Sequence, residues 1–156
     1  MKNENQTDYK MTKLQLQGFA TAEPYWVPLL SNAAALLWEN MSEINWAGFY
    51  FMREGELVLG PFQGKTACIR IAVGKGVCGT AVAEDQVLRV SDVHEFPGHI
   101  ACDAASRSEI VLPIHVNGEI FGVLDIDSPI TERFTEEDEE GLKGFVKVLE
   151  EKLSLE

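Results

Sequence analysis

The stretch from Glu109 to Asp127 reads EIVLPIHV, then NG, then EIFGVLDID, and it sets the fold of the chain. Two runs rich in branched apolar residues flank Asn117-Gly118. This pair favours the type I′ turn that joins two antiparallel strands. The stretch therefore predicts a hairpin, with one strand over residues 109–116 and the other over residues 119–127.

Two acids near the end of this stretch fall on one face of the second predicted strand. Asp125 and Asp127 alternate with apolar neighbours, and successive side chains of a strand point to opposite faces. Alternating acids usually mark a face turned to solvent. Here Phe121 and Val123 share the same face, so we interpret it as the wall of a pocket.

The register of the hairpin decides whether Glu109 joins these aspartates. With a simple two-residue turn, Ile110 faces Asp125 and Glu109 points to the other side of the sheet. Bringing Glu109 to the aspartates requires a bulge or a later start of the strand. Pro113 cannot donate to a strand ladder and is a candidate position for such a break.

The rest of the chain predicts an α+β fold in a single domain. Residues 1–9 are polar and indicate a flexible N-terminal leader, and residues 10–156 form the predicted domain. Apolar periodicity and strand propensity predict the following elements: helices over 10–23 and 28–41, strands over 46–52, 56–59 and 67–73, a short helix over 77–84, a strand over 87–90, and a last helix that Thr135 and Asp138 cap. Hairpin connections dominate, so the sheet should be mostly antiparallel with helices packed on it.

The charge of the chain excludes several classes of partner. Its 156 residues carry 25 acidic and 13 basic side chains, for a formal net charge of −12. Such a surface repels phosphate backbones and anionic lipid heads, so we predict binding to neither nucleic acid nor membrane. No apolar run is long enough to span a bilayer, and the polar N-terminus lacks a signal peptide. We therefore predict a cytoplasmic location, where cysteines are more often free thiols, ligands or catalysts than structural bridges.

The chain has three cysteines that are candidates for chemistry: Cys68, Cys78 and Cys102. Cys102 lies in FPGHIACD at 96–103, within an irregular loop at 91–107. A loop of this length is usually functional, and a reactive cysteine needs an exposed, polarised position. Cys78 lies on an apolar short helix and fits a small buried hydrophobe. Cys68 and Cys102 are therefore the candidates for thiol chemistry.

Two further patterns carry less weight. GKGVCG at 74–79 matches the dinucleotide fingerprint G-x-G-x-x-G, but no strand-helix-strand units follow it. His94 and His99, with the cysteines, could supply a zinc site, but no pair has the tight spacing of structural zinc sites. We therefore expect that these glycines form turns and that the histidines lie on the surface or support other residues. We expect neither a metal nor a cofactor.

Taken together, the spacing C-x9-C-x23-C and the segments GHIACD at 98–103 and SEIVLP at 108–113 resemble the free methionine-(R)-sulfoxide reductases. These are stand-alone GAF-domain enzymes. The resemblance covers essentially the whole domain, from NWAGFY at 45–50 to GVLDIDS at 122–128. The cysteine triplet makes it specific, because most GAF domains are ligand sensors without these cysteines.

The resemblance implies a six-stranded antiparallel sheet flanked by helices, and the reduction of free L-methionine (R)-sulfoxide to methionine. It also implies roles for individual residues: Cys102 as nucleophile, Cys68 as resolving thiol, Cys78 as an auxiliary with an open role, Glu109, Asp125 and Asp127 as pocket carboxylates, and Trp46 beside the substrate methyl. Thiolate attack on the sulfoxide needs an acid to protonate the leaving oxygen. A second thiol and an external dithiol such as thioredoxin then complete the cycle.

A different class of protein competes with this enzyme. A non-catalytic GAF-like sensor of a small metabolite would also need a pocket, but it would leave the cysteine spacing unexplained. Oligomeric state is not readable from the sequence, which leaves a homodimer open.

Overall fold

The computed structural model describes residues 6–22, 25–99 and 104–154. Within these ranges the chain forms helices and strands with the following bounds: α1 Tyr9–Ala22, α2 Trp26–Asn40, β1 Trp46–Arg53, β2 Glu56–Gly64, β3 Arg70–Ala72, α3 Gly76–Glu84, β4 Leu88–Val90, a 3-10 turn Val93–Glu95, β5 Ser108–Val116, β6 Glu119–Ser128 and α4 Glu136–Leu153. No helix in the described parts of the chain combines the length and hydropathy of a bilayer span.

The six strands form one sheet in the order β3-β2-β1-β6-β5-β4, and each neighbouring pair is antiparallel. This confirms the predicted α+β architecture. β2 continues past its predicted end because β1 pairs with it as far as Trp46 opposite Gly64. β3 is shorter than the predicted strand over 67–73, and Ala67 lies outside the sheet and lines a cavity instead.

The two faces of the sheet carry different layers. One face packs against α1, α2 and α4 around a core of the following residues: Leu16, Leu30, Leu37, Phe49, Leu112, Leu124, Phe145 and Leu149. The other face carries a smaller cluster with α3: Trp46, Tyr50, Leu57, Ile71, Val77, Cys78, Val111 and Val123. The large core supports the sheet from behind, which leaves the α3 side free to form a cavity.

The predicted hairpin is present, with its turn at Asn117-Gly118. Both residues have positive φ, 54° and 81°, which is the type I′ geometry that Asn-Gly favours. The register then shifts, because Ile114 pairs with Gly122 whereas His115 pairs with Ile120. Phe121 is therefore an extra residue in β6, which forms a bulge.

The bulge lies in β6 and not at Pro113, so the predicted position of the break is wrong. Pro113 pairs regularly with Val123. Beyond the bulge, Glu109 lies directly opposite Asp127, on the same face of the sheet. The prediction for Phe121 is also wrong, because the extra residue moves its side chain to the face that carries the helices, where it contacts Trp26 with ring centroids 6.3 Å apart.

The last helix begins as predicted. The Thr135 side chain accepts from the Asp138 N–H, and the Asp138 carboxylate accepts from the Thr135 N–H, which completes a capping box. Asp138 also accepts from the hydroxyl of Tyr9 at 2.6 Å. Tyr9 begins α1 and Thr7 is buried, so the end of the predicted leader packs against α4. Residues 1–5 lie outside the described residues.

Candidate active site

A cluster of carboxylates lies where β5 and β6 pair at the centre of the α3 face. Glu109 on β5 stands opposite Asp127 on β6, and Asp125 lies two residues earlier on the same strand face. Glu109 is 8% exposed and Asp125 5% exposed. The structure thus brings together the three carboxylates that the sequence singled out.

Burial of this cluster changes the protonation of its members. The pKa of Glu109 is raised well above its ordinary value, first by burial and then by the negative charges of Asp125 and Asp127. Burial also raises the pKa of Asp125, although hydrogen bonds from Glu109 and Cys78 oppose the change. Like charges at close range disfavour joint ionisation, so the cluster favours retention of a proton.

Cys78 completes this cluster from the opposite side. It lies near the start of α3, and its Sγ is 4.0 Å from Oε2 of Glu109. It is buried, as the sequence indicated for a small hydrophobe. Its pKa is raised, mainly by burial and further by Asp125 and Glu109, so this thiol is protonated and is a poor nucleophile.

An aromatic wall borders the carboxylates. Trp46 stacks on Phe62 with ring centroids 5.2 Å apart, and on Tyr50 at 5.8 Å. The Trp46 indole donates to the carbonyl of Lys65 at 3.1 Å, and the Tyr50 hydroxyl donates to the carbonyl of Cys68 at 2.9 Å. The two rings therefore hold the segment 65–68 against the cavity. Sequence reasoning found Trp46 but missed Tyr50, which strand alternation places on the same face four residues later.

Carboxylates and aromatic rings line one cavity that opens to solvent. The residues around it are Trp46, Tyr50, Thr66, Ala67, Ile71, Lys75, Gly76, Val77, Cys78, His99, Ser106, Glu109, Asp125 and Asp127. Five predicted site residues therefore line the same cavity: Trp46, Cys78, Glu109, Asp125 and Asp127. Its mixed lining of charged and aromatic groups suits a small molecule with polar ends.

The other two cysteines predicted as site residues are Cys68 and Cys102. Cys68 is half-buried beside the cavity segment and is part of a disulfide. Cys102 lies outside the described residues, so the predicted disulfide between Cys68 and Cys102 does too. Cys78 is a free thiol.

The two histidines singled out in the sequence, His94 and His99, lie close together. His99 lines the cavity and contacts His94 edge to face, with ring centroids 6.2 Å apart. Burial, and then the charge of His94, lower the pKa of His99. Among the described residues, the group with ligand atoms close enough to share a metal ion is Cys78, Glu109 and Asp125, and it contains neither histidine.

The glycine-rich string at 74–79 does not open a dinucleotide fold, because α3 has only nine residues and the sheet is antiparallel. Gly79 instead permits close packing, since a Cβ there would lie 2.4 Å from the carbonyl oxygen of Ala72. The glycines therefore serve the turn and the seating of α3 on the sheet.

Comparison with known proteins identifies this architecture. The family model of the GAF domain matches residues 27–153, so the fold and its cavity define a GAF-domain protein. The free methionine-R-sulfoxide reductase of Escherichia coli strain K12 is 61% identical over 132 residues, which is 85% of this chain and 80% of the relative. The enzyme of that name from Saccharomyces cerevisiae is 46% identical over 144 residues, covering 87% and 80% of the two chains.

A solved structure agrees with these relatives. The structure of fRMsr of Staphylococcus aureus in complex with substrate has a TM-score of 0.92 and 51% identity, and covers 97% of this chain and 99% of that one. The chain belongs to the free methionine-R-sulfoxide reductase family of GAF-domain proteins.

Proposed function

We propose that this chain is an oxidoreductase that reduces free L-methionine (R)-sulfoxide to L-methionine, with two cysteine thiols supplying the electrons. The observation that carries this proposal is the buried carboxylate cluster beside Trp46 in one small cavity, in a chain that belongs to this family. The overall step converts a sulfoxide and two thiols into a thioether, a disulfide and water.

Glu109 is the proposed acid for this step. S–O cleavage requires a proton on the departing oxygen, and a carboxylic acid can give it only if it stays protonated at working pH. Burial and two neighbouring acids raise the pKa of Glu109, which favours the protonated form that this role requires. Asp125 and Asp127 then remain to bind the ammonium group of the substrate, because a buried carboxylate is stabilised by a cation.

Cys102 is the proposed nucleophile and Cys68 the proposed resolving thiol. Attack by the Cys102 thiolate on sulfur releases methionine and leaves a sulfenic acid. A second thiol then condenses with it and expels water. The disulfide at Cys68 supports its part in this second step. Cys78, buried and protonated, serves as an auxiliary that contacts Glu109 rather than as the attacking group.

The disulfide must be reduced from outside to close the cycle. We propose thioredoxin as the reductant and the cytoplasm as the location, since a reduced dithiol pool is maintained there.

We also propose a homodimer, because α1 and α2 expose large apolar side chains at Met11, Leu14 and Trp38. Light scattering of the purified protein measures the mass, and a monomer at working concentration would remove the dimer. The domain is proposed to extend to residue 156 and to include Tyr9, at which α1 begins.

Methionine release from free methionine (R)-sulfoxide, driven by thioredoxin, its reductase and NADPH, tests this function. We expect catalytic turnover that stops without the dithiol. The alternative, a GAF sensor, predicts binding of a small molecule without methionine release at any thiol concentration.

A further inference from the structure

The segment around β3 differs in charge from the rest of the chain. Residues 57–83 contain no acidic side chain and include Lys65, Arg70 and Lys75, so they carry a formal charge of +3. The whole chain carries −12, so the remaining residues together carry −15. All three basic residues are exposed. Arg70 pairs with Glu56 at 2.5 Å, which leaves Lys65 and Lys75 as the main source of a local positive potential.

Two exposed apolar residues lie on the same segment, one at each end of β3. Ile69 is 69% exposed, more than any other large apolar residue that the structure describes, and Val73 is 41% exposed. A single exposed apolar residue is normal on a protein surface. These two, however, flank a strand at the edge of the sheet, and Cys68 directly precedes Ile69. We call the exposed part of residues 65–75 the β3 surface.

Hydrogen bonds from inside the domain hold the backbone of the β3 surface in place. The two rings of the aromatic wall donate to the carbonyls of Lys65 and Cys68. The N–H of Leu59 on β2 donates to the carbonyl of Ile69 at 2.9 Å. The side chains of Lys65 and Ile69 therefore stand on an anchored backbone, and a preorganised surface loses little conformational entropy when a partner binds.

The disulfide at Cys68 determines what kind of partner this surface fits. Cys68 is half-buried and disulfide-bonded. Reduction of a disulfide requires an attacking thiolate to reach one of its sulfurs. A protein that brings such a thiolate must contact the residues around that sulfur, and the neighbours of Cys68 along the chain are the apolar and basic residues of the β3 surface. Apolar anchors within a charged rim are typical of protein–protein interfaces.

We propose that the β3 surface is the docking site for the protein that reduces the disulfide, and that this partner carries acidic residues around an exposed dithiol. This docking site rests on the proposed function and deepens it, because the cycle needs an external dithiol. A second copy of the chain fits less well, since it would cover a disulfide that must be reached in every cycle.

The exchange at this surface begins at Sγ of Cys68. One thiolate of the partner attacks that sulfur, so an intermolecular disulfide forms and the other sulfur of the original disulfide leaves as a thiolate. The second thiol of the partner then attacks the intermolecular disulfide, which frees Cys68 and leaves the partner oxidised. Two electrons and two protons pass from the partner to this chain.

The first experiment measures reduction of the disulfide without any sulfoxide. Disulfide-bonded protein is mixed with reduced thioredoxin of acidic net charge, or with dithiothreitol, and the released thiols are alkylated and counted by mass spectrometry. We expect Ile69→Ser to slow reduction by thioredoxin about 10-fold and to leave reduction by dithiothreitol unchanged, because the small dithiol needs no docking surface.

Leu14→Ser is the matched control, since Leu14 is 54% exposed on α1, on the other face of the sheet. It should leave both rates unchanged. An equal loss with both reductants in Ile69→Ser, or no loss with thioredoxin, would overturn the docking site. Methionine release decides the proposed function separately, because these rates involve no sulfoxide.

Lys65→Glu tests the charge of the β3 surface. Lys10→Glu is its control, because Lys10 is exposed on α1 and the change in net charge is the same. At low ionic strength Lys65→Glu should slow reduction by the acidic thioredoxin several-fold, and added salt should diminish the difference. Equal effects of the two substitutions would mean that net charge alone matters, and would overturn the assignment to this surface.

A thioredoxin variant that lacks its second active-site cysteine traps the intermolecular disulfide. Peptide mapping should locate that bond at Cys68, and a bond to Cys102 would overturn the proposed attack. Light scattering of the wild type and Ile69→Ser tests the other occupant. Equal masses support the reductant as the partner, whereas a dimer that Ile69→Ser converts to a monomer would assign this surface to a second copy of the chain.

Discussion

Glu109 shows how the surroundings of a single residue assign it a chemical role. A glutamic acid has an ordinary pKa of 4.5, and burial beside Asp125 and Asp127 raises that pKa well above this value. The protonated form therefore persists to a higher pH than it does in an exposed glutamate. The role proposed for Glu109 therefore depends on its neighbours and not on its residue type.

Glu109→Gln should remove the acid and stabilise the fold. We expect kcat to fall about 10²- to 10⁴-fold, because general acid catalysis contributes that much. Below pH 4.5 this carboxyl is neutral in both states, but above it only the unfolded chain ionises. The wild type therefore loses stability as pH rises toward the raised pKa of the folded state.

Urea unfolding of wild type and Glu109→Gln at pH 5 and pH 8 measures this difference. The variant should gain relative stability on the order of 1 kcal/mol per pH unit over part of this range. Glu119→Gln is the control, because Glu119 is exposed at the hairpin end and should show no such gain. A pH-independent difference at Glu109 would mean that its pKa is not raised.

The cysteine roles can be separated by single turnover. Cys102→Ser should release no methionine without reductant, because a hydroxyl lacks thiolate character at neutral pH. Cys68→Ser should release about one methionine per chain and then stop at the sulfenic acid. Quantifying methionine by chromatography checks both. Full thioredoxin-supported cycling in Cys68→Ser would instead make Cys78 the resolving thiol.

Among the elements, β6 controls the geometry of the site through its bulge. The extra residue Phe121 restores the alternation that places Glu109 opposite Asp127. The next residue, Gly122, lies so close to β1 that an added Cβ would be 2.1 Å from the carbonyl oxygen of Tyr50. The bulge and this close contact together fix β6 between its two neighbours.

Gly122→Ala should therefore destabilise the protein by about 1–3 kcal/mol, since backbone atoms cannot move aside as a side chain can. Activity should fall with stability, because any shift of β6 moves Asp125 relative to α3. Gly18→Ala is the matched control: Gly18 lies in α1 with nothing within 4 Å of an added Cβ, so alanine should stabilise by about 0.5–1 kcal/mol. Thermal unfolding of both variants measures the sign of each change in stability. An unchanged stability of Gly122→Ala would contradict the close contact.

For the molecule as a whole, the main consequence of this architecture is selection by charge. The large core and three helices support one face of the sheet, and the other face gathers acids from β5 and β6 around a cavity. A buried acidic cluster favours a ligand that brings its own cation. An ammonium group provides one, whereas an amide nitrogen does not.

Acetylation of the substrate nitrogen should therefore remove most activity. We expect kcat/KM for N-acetyl-methionine (R)-sulfoxide to be lower by about two to three orders of magnitude, which corresponds to losing a charged buried contact. Asp125→Asn and Asp127→Asn should each shrink this preference along with the rate. Similar efficiency on both substrates in the wild type would show that the acidic wall is not an ammonium site.

The sequence by itself determined the local features of this fold. Asn117-Gly118 predicts its hairpin because few other residue pairs adopt two successive positive φ angles. Thr135 and Asp138 predict the start of α4 because the cap involves only residues three positions apart. The alternation of side chains along a strand predicts that Asp125 and Asp127 lie on one face. The spacing of the three cysteines indicates the reductase family.

Tertiary structure alone decided how these features meet. The bulge at Phe121 could not be predicted from the sequence, because an extra residue does not change the strand propensity of the segment. It is visible only in the pairing of β6 with its partner strand. The opposition of Glu109 and Asp127 depends on that bulge. The contact of Cys78 with Glu109 joins residues 31 positions apart, and the raised pKa values follow from burial that only the packed sheet and α3 create. Local preferences are set by neighbours along the chain, whereas the chemistry of this cavity is set by neighbours across it.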